Sequence, residues 1–482
     1  MNCLLGIPML LSLVFAISMV FIDFQSDKRI GHYALLCTSL ISVAVFAVLA
    51  LSYGSHCQIL SLSTPLTIAF EVDGLSVIFA SMVSVLWPIA TYYAGTYMTH
   101  EGKFRRFFTY YTLTFGVVLG LAFSANLFTA YLFYEALSLV TLPLVIHNDD
   151  PQGIFAGRRY IRYMFFGAAT AFMGMMLFLS QVGSFDFQLG GIMTQPLTPM
   201  LSIAYVLMFV GFGVKTGLFP FHRWLITAGV APTTVTALLH AVAVVKSGAF
   251  VVMRLSYYLY DYTALHGTTA QAIVLVWVSV SILFGSFMAA RSSHLKRRLA
   301  YSTVSQLSYI LLGITTMSLF GLQAALLHML FHAAMKIVLF YGAGNALYTN
   351  HAVYVDDIRG YGHVMKPTFV CFTICGLALM GLPPLAGFFS KYALAQSAIM
   401  VGGQLGLLGV VALLISAFFT AIYILQILLQ AYLPATGFTL DTHAKPAPKS
   451  MQITVIVLTC IMVALSVCSG TVSNWIGGLL CC

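Results

Sequence analysis

The chain has 482 residues, room for about three soluble domains, yet 60% of them are hydrophobic, 7% are charged and the mean hydropathy is +0.96. A soluble domain carries about 25% charged residues, so this composition cannot cover a water-facing surface; it excludes a cytosolic enzyme and any separate soluble redox or nucleotide domain. The excess of 22 Lys and Arg over 13 Asp and Glu gives +9, which in so apolar a chain marks membrane orientation, not nucleic acid.

A window of about 20 residues, the length that crosses a ~30 Å hydrocarbon core, predicts about fourteen spans. They lie near 4–22, 33–52, 75–94, 108–124, 126–146, 161–182, 200–219, 232–256, 271–290, 301–319, 322–347, 366–391, 405–431 and 451–476. The expected fold class is therefore an all-α polytopic membrane protein, one integral domain over 1–482. The first span has no basic flank before it and no clear small-residue cleavage site after it, so it reads as a retained helix. Loops are short, and 433–450 is the one linker-like stretch. The nine Cys form no C-x-x-C pair and no Cys/His cluster at zinc or iron–sulfur spacing. Cys371, Cys375, Cys481 and Cys482 read as small core residues. The 37 Phe and 25 Tyr are expected on lipid-facing and interfacial surface.

Basic residues set the topology. Lys28, Arg29, Lys103, Arg105, Arg106, Arg158, Arg159, Arg162, Arg291, Lys296, Arg297, Arg298, Arg359, Lys366, Lys445 and Lys449 all lie in or beside loops that follow odd-numbered spans. Loops after even-numbered spans hold none, apart from Arg254 at the end of span eight, which reads as an interfacial anchor. By the positive-inside rule these sixteen face the cytoplasm and both termini lie outside, in a prokaryotic cell membrane. Lys296, Arg297 and Arg298 are expected in a solvated loop.

The remaining charges stand out. Lys215, Lys246, Lys336 and Lys391 sit in apolar spans, and Glu135, in L-F-Y-E-A-L-S-L-V, is the one acid of thirteen away from loops. At about 2.5–3.5 kcal/mol each, the five would together cost about 12–18 kcal/mol before pairing, so they must face the bundle interior or water. His328, His332 and Lys336 recur every four residues on one face of span eleven. His240 lies in span eight with Lys246, and His222 follows Lys215 across a break. Histidines titrate close enough to neutrality for such a set to pass protons at physiological pH. Metal binding is disfavoured, because no acidic or Cys ligand stands near the His-x-x-x-His. Any one of these groups reads equally well as a paired interior residue, and His240 alone better so; the chain of sites over five spans is what points to function.

Two spans look broken. Lys215 is followed by T-G-L-F-P-F-H-R-W-L, and 381–391 reads G-L-P-P-L-A-G-F-F-S-K. Gly217 and Pro220 in span seven, and Gly381, Pro383 and Pro384 in span twelve, mark the breaks. The two share G-L-x-P and lie five spans apart. An odd separation gives two five-span units of opposite topology, about 108–256 and 271–431, flanked by helices within 4–94 and 451–476.

At these residues the chain resembles the antiporter-like subunits shared by respiratory complex I, Mrp-type sodium/proton antiporters and membrane-bound energy-converting (group 4) hydrogenases. The matching stretches are L-F-Y-E-A-L-S at Glu135, K-T-G-L-F-P-F-H-R-W-L from Lys215, A-P-T-T-V-T-A-L-L-H-A-V-A-V-V-K-S-G-A-F from Ala231, H-M-L-F-H-A-A-M-K from His328 and G-L-P-P-L-A-G-F-F-S-K from Gly381. The resemblance covers about residues 70–430. It implies two inverted five-helix repeats with broken helices 7 and 12, and a hydrophilic axis across the membrane centre. Glu135 and Lys215 would form the ion pair of the first half, with His222 loading protons. Lys246 would be the connecting lysine, His328, His332 and Lys336 the link onward, and Lys391 the terminal lysine. It implies no cofactor in this chain, with iron–sulfur clusters and nickel–iron or flavin centres in partner subunits. The implied partners are other membrane subunits, paralogous antiporter-like subunits among them, a peripheral redox arm, lipids, and protons or Na+.

The chain also departs from the family pattern. Ile226, Thr227, Ala228 and Gly229 stand where many members read an Asp and a His, Lys391 stands where some carry an acid, and the long lateral helix of one complex I paralogue is missing after span fourteen. The expected function is proton translocation within a redox-driven complex, with wording that leans toward an energy-converting hydrogenase or a related assembly. The chain itself holds no catalytic redox site, so it is expected as a subunit of an oxidoreductase complex. The alternatives are a subunit of an Mrp-type secondary antiporter and a non-conducting spacer.

Overall fold

The computed structural model describes residues 3–63, 65–433 and 444–481. Most of the linker-like stretch 433–450, and Cys482, lie outside the described residues, as does the side chain of Cys481. In chain order the elements are α1 (Ile7–Phe21), α2 (Asp27–Leu51), β1 (His56–Ser63), β2 (Leu66–Glu71), α3 (Gly74–Glu101), α4 (Phe104–Ala122), α5 (Leu127–Val145), α6 (Pro151–Val182), α7 (Pro199–Thr216), α8 (Arg223–Thr227), α9 (Thr233–Ala237) and α10 (Val244–Arg254). They continue with α11 (Tyr262–Leu265), α12 (Thr269–Arg291), α13 (Leu295–Thr315), α14 (Leu319–Asn350), α15 (Tyr361–Val364), α16 (Lys366–Met380), α17 (Ala386–Val401), α18 (Gly403–Tyr432), α19 (Lys449–Val467) and α20 (Ser469–Cys481).

This is a polytopic membrane protein. Among the described residues eleven helical segments are long and apolar enough to cross a bilayer, and the other three predicted spans are α4, α13 and the broken pair α16–α17. Two segments form the centre. In the most apolar stretch of 233–259 every residue is buried, and in that of α14 94% are. Helices that are apolar all round belong inside a bundle, and among the described residues 233–259 and α14 carry six of the ten buried Lys, Arg and His side chains: His240, Lys246, Arg254, His328, His332 and Lys336. By contrast α1 and α18 turn Leu13, Val14, Leu414 and Phe418 outward, as lipid-facing helices should.

Two features were not expected from the sequence. Between α2 and α3 the chain forms an antiparallel hairpin in which Leu60 pairs with Ile68 and Cys57 with Phe70. Its edge joins the backbone of neighbouring helix ends, Glu71 N–H donating to Phe123 C=O (2.7 Å) and Ala125 N–H to Ala69 C=O (3.0 Å), and beside it Gln188 N–H donates to Tyr258 C=O (2.9 Å). Buried loop backbone needs such partners, and here they close one end of the bundle. Secondly, span eight is not one helix. It widens into π-helical turns at Leu238–Val242 and Leu255–Leu259 on either side of α10.

The basic loops gather at the other end. Lys103 and Arg106 both reach Asp149 (2.8 and 2.7 Å), and those two hydrogen bonds, Arg106 first, hold its carboxyl down at about 2. A crevice of about 1000 Å³ opens there, lined by Arg159, Arg291, Lys296, Arg297 and Tyr301 among others.

Three expectations need correction. Lys296 and Arg298 are not in a solvated loop: Lys296 Nζ donates to Ala231 C=O (3.1 Å) and Arg298 Nη1 to Tyr423 C=O (3.1 Å). Of that run only Arg297 is exposed. Many tyrosines, including Tyr93, Tyr134, Tyr205, Tyr257 and Tyr309, are among the largest fully buried side chains, not interfacial ones. Arg254 is not an interfacial anchor either. It is 2% exposed, forms a two-pronged ion pair with Asp73, bonds to Ser76 Oγ (3.0 Å) and lies 4.5 Å above the Tyr258 ring. Asp73 caps α3 through the Ser76 amide (2.9 Å). Burial pushes its carboxyl up, and the Arg254 guanidinium together with Ser76 more than offsets this, leaving it below the usual carboxylate range.

Removing one partner strands a buried charge. Arg254→Leu is therefore expected to destabilise the protein by about 3–5 kcal/mol, read as a lowered thermal midpoint in detergent. Because the Asp73 carboxyl lies below its unfolded value, its contribution is present above about pH 4 and is lost as the pH falls further. The acid-side drop in midpoint should shrink in Asp73→Asn.

A buried chain of lysines and histidines as the candidate functional site

Both breaks form where glycine and proline were expected to place them. α7 stops at Gly217 (φ +78°) and α16 at Gly381 (φ +92°), left-handed positions that suit glycine. At the first break the freed groups are repaired by protein. Leu218 N–H returns to Gly213 C=O (3.3 Å), the Trp224 indole donates to Val214 C=O (2.9 Å), Phe219 N–H donates to Ser281 Oγ (3.1 Å) and Trp277 donates to Phe219 C=O (2.5 Å). In a lipid environment such repair is what makes a break affordable.

Lys215, at the last turn of α7, is fully buried. Its ammonium donates to the Tyr134 carbonyl and stands 3.4 Å from the centre of the Tyr134 ring. Glu135 is the next residue, and its Oε1 is buried without a hydrogen-bond partner. Among the described residues the Lys215 and Glu135 charged groups make no ion pair within 4 Å. The resemblance implies that pair; here the two are neighbours with Lys215 turned to the backbone beside the acid. His222, past the break, is 4% exposed among the rings of Phe284 (4.7 Å), Phe219 (5.8 Å) and Tyr301 (6.1 Å). Tyr301 also lines the basic crevice, so His222 sits one ring away from that opening.

The centre is tighter. His240 lies in the first π-helical turn, with its ring 4.9 Å from Phe340. Its carbonyl accepts a hydrogen bond from Lys246 Nζ (3.2 Å), and Lys246 Nζ also meets His332 Nδ1 at 2.7 Å. An ammonium has only protons to give, so Nδ1 accepts and the ring proton of His332 sits on Nε2. One turn along α14 the His328 ring is 6.0 Å from His332. His328 Nδ1 is 3.0 Å from Ser390 Oγ, and the next residue is Lys391, whose Nζ donates to Leu379 (2.6 Å) and Met380 (3.0 Å) carbonyls at the end of α16. Lys246, His332, His328, Ser390 and Lys391 thus form a sequence of short steps across the bundle middle.

Lys336 stands aside from that sequence. One turn from His332 toward the basic end, it donates to Leu299 C=O (2.9 Å) and Ser302 Oγ on α13. The structure therefore brings Lys246, His328, His332 and Lys391 together, places Lys336 on a branch, and leaves Glu135, Lys215 and His222 as a separate group. Sequence reasoning missed Ser390 and Ser302, neutral residues that carry no charge signal, and the π turn that turns the His240 carbonyl toward Lys246. No group of three His, Cys, Asp or Glu among the described residues could hold a metal ion.

Broken helices around a membrane-buried line of ionisable side chains define a class: an antiporter-like membrane subunit. Residues 124–436 match the family described as NADH:quinone oxidoreductase/Mrp antiporter, TM, and residues 60–108 match the complex I chain 5 N-terminus. The chain belongs to this NADH:quinone oxidoreductase/Mrp antiporter family. It is 32% identical to NADH-quinone oxidoreductase subunit N of Desulforudis audaxviator over 82% of this chain and 81% of that one. It is 30% identical to NADH-quinone oxidoreductase subunit L of Mycobacterium tuberculosis over 84% of this chain, but spans only 64% of that longer relative. Its fold superposes on chains of the Mrp complex from Dietzia sp. (TM-score 0.85, 19% identity, 100% and 97% coverage), an archaeal membrane-bound sulfane sulfur reductase (0.85, 19%, 99% and 97%) and complex I from Thermus thermophilus (0.83, 20%, 99% and 98%).

One glycine fixes the spacing of the two halves of the site. A Cβ on Gly248 of α10 would fall 2.9 Å from Lys215 Cβ, 3.1 Å from Phe212 C=O and 3.1 Å from Thr216 Cγ2. Gly248→Ala should force α10 away from α7 and lower stability by about 1–3 kcal/mol, checked by thermal unfolding. An unchanged midpoint would show that the contact is loose.

Proposed function

We propose that this chain moves protons across the membrane as an antiporter-like subunit of a redox-driven multisubunit pump. The observation that carries the reading is the series Lys246–His332–His328–Ser390–Lys391 in the buried centre of the bundle, joined by hydrogen bonds at Lys246–His332 and His328–Ser390 and by a 6.0 Å approach of the two histidine rings. Imidazole suits the middle of such a path. As an N–H bond forms at Nδ1 of His332 from the Lys246 ammonium, the Nε2–H bond breaks and its proton passes on toward His328, leaving the ring neutral again.

Glu135 and Lys215 form the control. With Lys215 turned to the Tyr134 carbonyl its proton is free to leave; with the side chain swung one residue along to Glu135, opposite charge holds the proton in place. The basic crevice beside Tyr301 and His222 supplies the way in from the side that the sixteen basic residues place in the cytoplasm, with both termini on the other. The cell membrane of a prokaryote is the expected location. The two inverted units, about 108–256 and 271–431, would each carry half of the path.

Relatives named as quinone oxidoreductase subunits support redox drive. Partners would then be further membrane subunits, some of them paralogues, and a peripheral arm carrying iron–sulfur clusters with nickel–iron or flavin centres. The equally good superposition on the Mrp complex favours one other reading, a secondary Na+/H+ antiporter subunit. Subunits that copurify with the chain separate the two.

Lys246→Met, in the purified complex reconstituted into liposomes and driven by its own electron donor, should slow proton uptake about 100-fold or more while leaving subunit composition intact. A pH-sensitive dye reads the rate. Wild-type uptake in this variant and in Lys215→Met would overturn the proposal.

A further inference from the structure

Gln306 of α13 is fully buried, and neither its amide nitrogen nor its oxygen has a hydrogen-bond partner. Leaving a primary amide wholly unsatisfied in an apolar interior is unfavourable, and native interiors satisfy such groups with ordered water where the site is polar. The contacts between α13 and α14 one turn to either side of Gln306 are made by polar residues. α13 and α14 run antiparallel and in contact, and two rungs fix their register: Lys336 bonds to Ser302, and the His328 ring lies 5.6 Å from that of Tyr309. Going four residues from Lys336 along α14 and four from Ser302 along α13 reaches His332 and Gln306. The middle rung therefore sets Gln306 opposite His332, and the nitrogen that His332 leaves unpartnered is Nε2, the one that carries its proton when Lys246 occupies Nδ1.

We propose that Gln306 is a positioning residue for His332: a bridging water accepts the hydrogen bond of His332 Nε2–H and donates one to the Gln306 amide oxygen, fixing the tautomer and ring orientation that let Nδ1 face Lys246. The inference rests on the proton-moving function proposed above. A glutamine suits the task because its amide oxygen accepts while its NH2 donates, so the water keeps partners on both sides whichever nitrogen of His332 holds the proton. It cannot itself become charged, so it does not divert the proton from the path. The α13 face Ser302–Gln306–Tyr309 is then a second wall to the file whose other wall is Lys336–His332–His328.

The test uses the whole complex in liposomes, with Lys246→Met as the reference. Gln306→Met keeps length and loses the hydrogen bonds; Gln306→His keeps a donor and an acceptor. Proton uptake should fall at least about fivefold in Gln306→Met, the rate equivalent of one hydrogen bond, and return to within about twofold of wild type in Gln306→His. In a His332→Ala background Gln306→Met should add no further loss, since the two act as one unit. Full-rate uptake in Gln306→Met, equal damage from both Gln306 variants, or additive losses with His332→Ala would each overturn the inference. If Lys246→Met conducts normally the underlying function fails instead, so the two failures are distinguishable.

Discussion

A lysine ammonium in the middle of an apolar bundle must find acceptors, and the structure meets that need in a uniform way. Each of the four intramembrane lysines donates to a main-chain carbonyl: Lys215 to Tyr134, Lys246 to His240, Lys336 to Leu299, and Lys391 to Leu379 and Met380. Two of these carbonyl sets come from irregular backbone, the π-helical turn in span eight and the unpaired end of α16 before Gly381. Helix ends and widened turns leave oxygens that the helix does not use. The breaks and the lysines are thus one device.

The choice of acceptor decides what the lysines can do. A lysine paired with a carboxylate cannot release its proton without leaving a bare anion in the bundle, a severe penalty in a low-dielectric interior. A lysine on a neutral carbonyl avoids this, because the neutral amine still donates an N–H to the same oxygen. Among the described residues none of the four has a carboxylate within 4 Å. Glu135, one residue from the carbonyl that holds Lys215, is the exception held in reserve, close enough to compete for that side chain without occupying it here.

The spans, the two breaks and the ionisable residues were legible because each rests on local composition: a charge in an apolar run, or a Gly and a Pro near it. What escaped the sequence is set by distance or by neutrality. Arg254 and Asp73 are 181 positions apart, and no local pattern joins them. Ser302, Ser390 and Gln306 are polar without charge, so in an apolar helix they read as filler until their neighbours are known. The π turn arises in L-L-H-A-V, which favours an ordinary helix and widens only under tertiary packing. The hairpin did leave a trace, the Ser/Thr-rich alternation of 58–70, which a search for twenty-residue spans passes over.

α10 carries both kinds of buried cation, Lys246 and Arg254, and they are held in different ways. Lys246 and Arg254 both lie on α10, with Phe250 midway between them in sequence and its ring stacked on Phe79 at 4.6 Å. Arginine never gives up its proton in a protein, so its tight pairing with Asp73 can only be a fastener. That fastener lies at the end where hairpin and loop backbones close over the bundle, whereas the opposite end opens into a basic crevice beside Tyr301 and His222. In the proposed path a proton at Lys246 would have a polar neighbour in His332 and the stacked Phe250–Phe79 pair on the side toward Arg254. In that proposal the way onward would run along α14, from His332 and His328 to Lys391 beside Ser390.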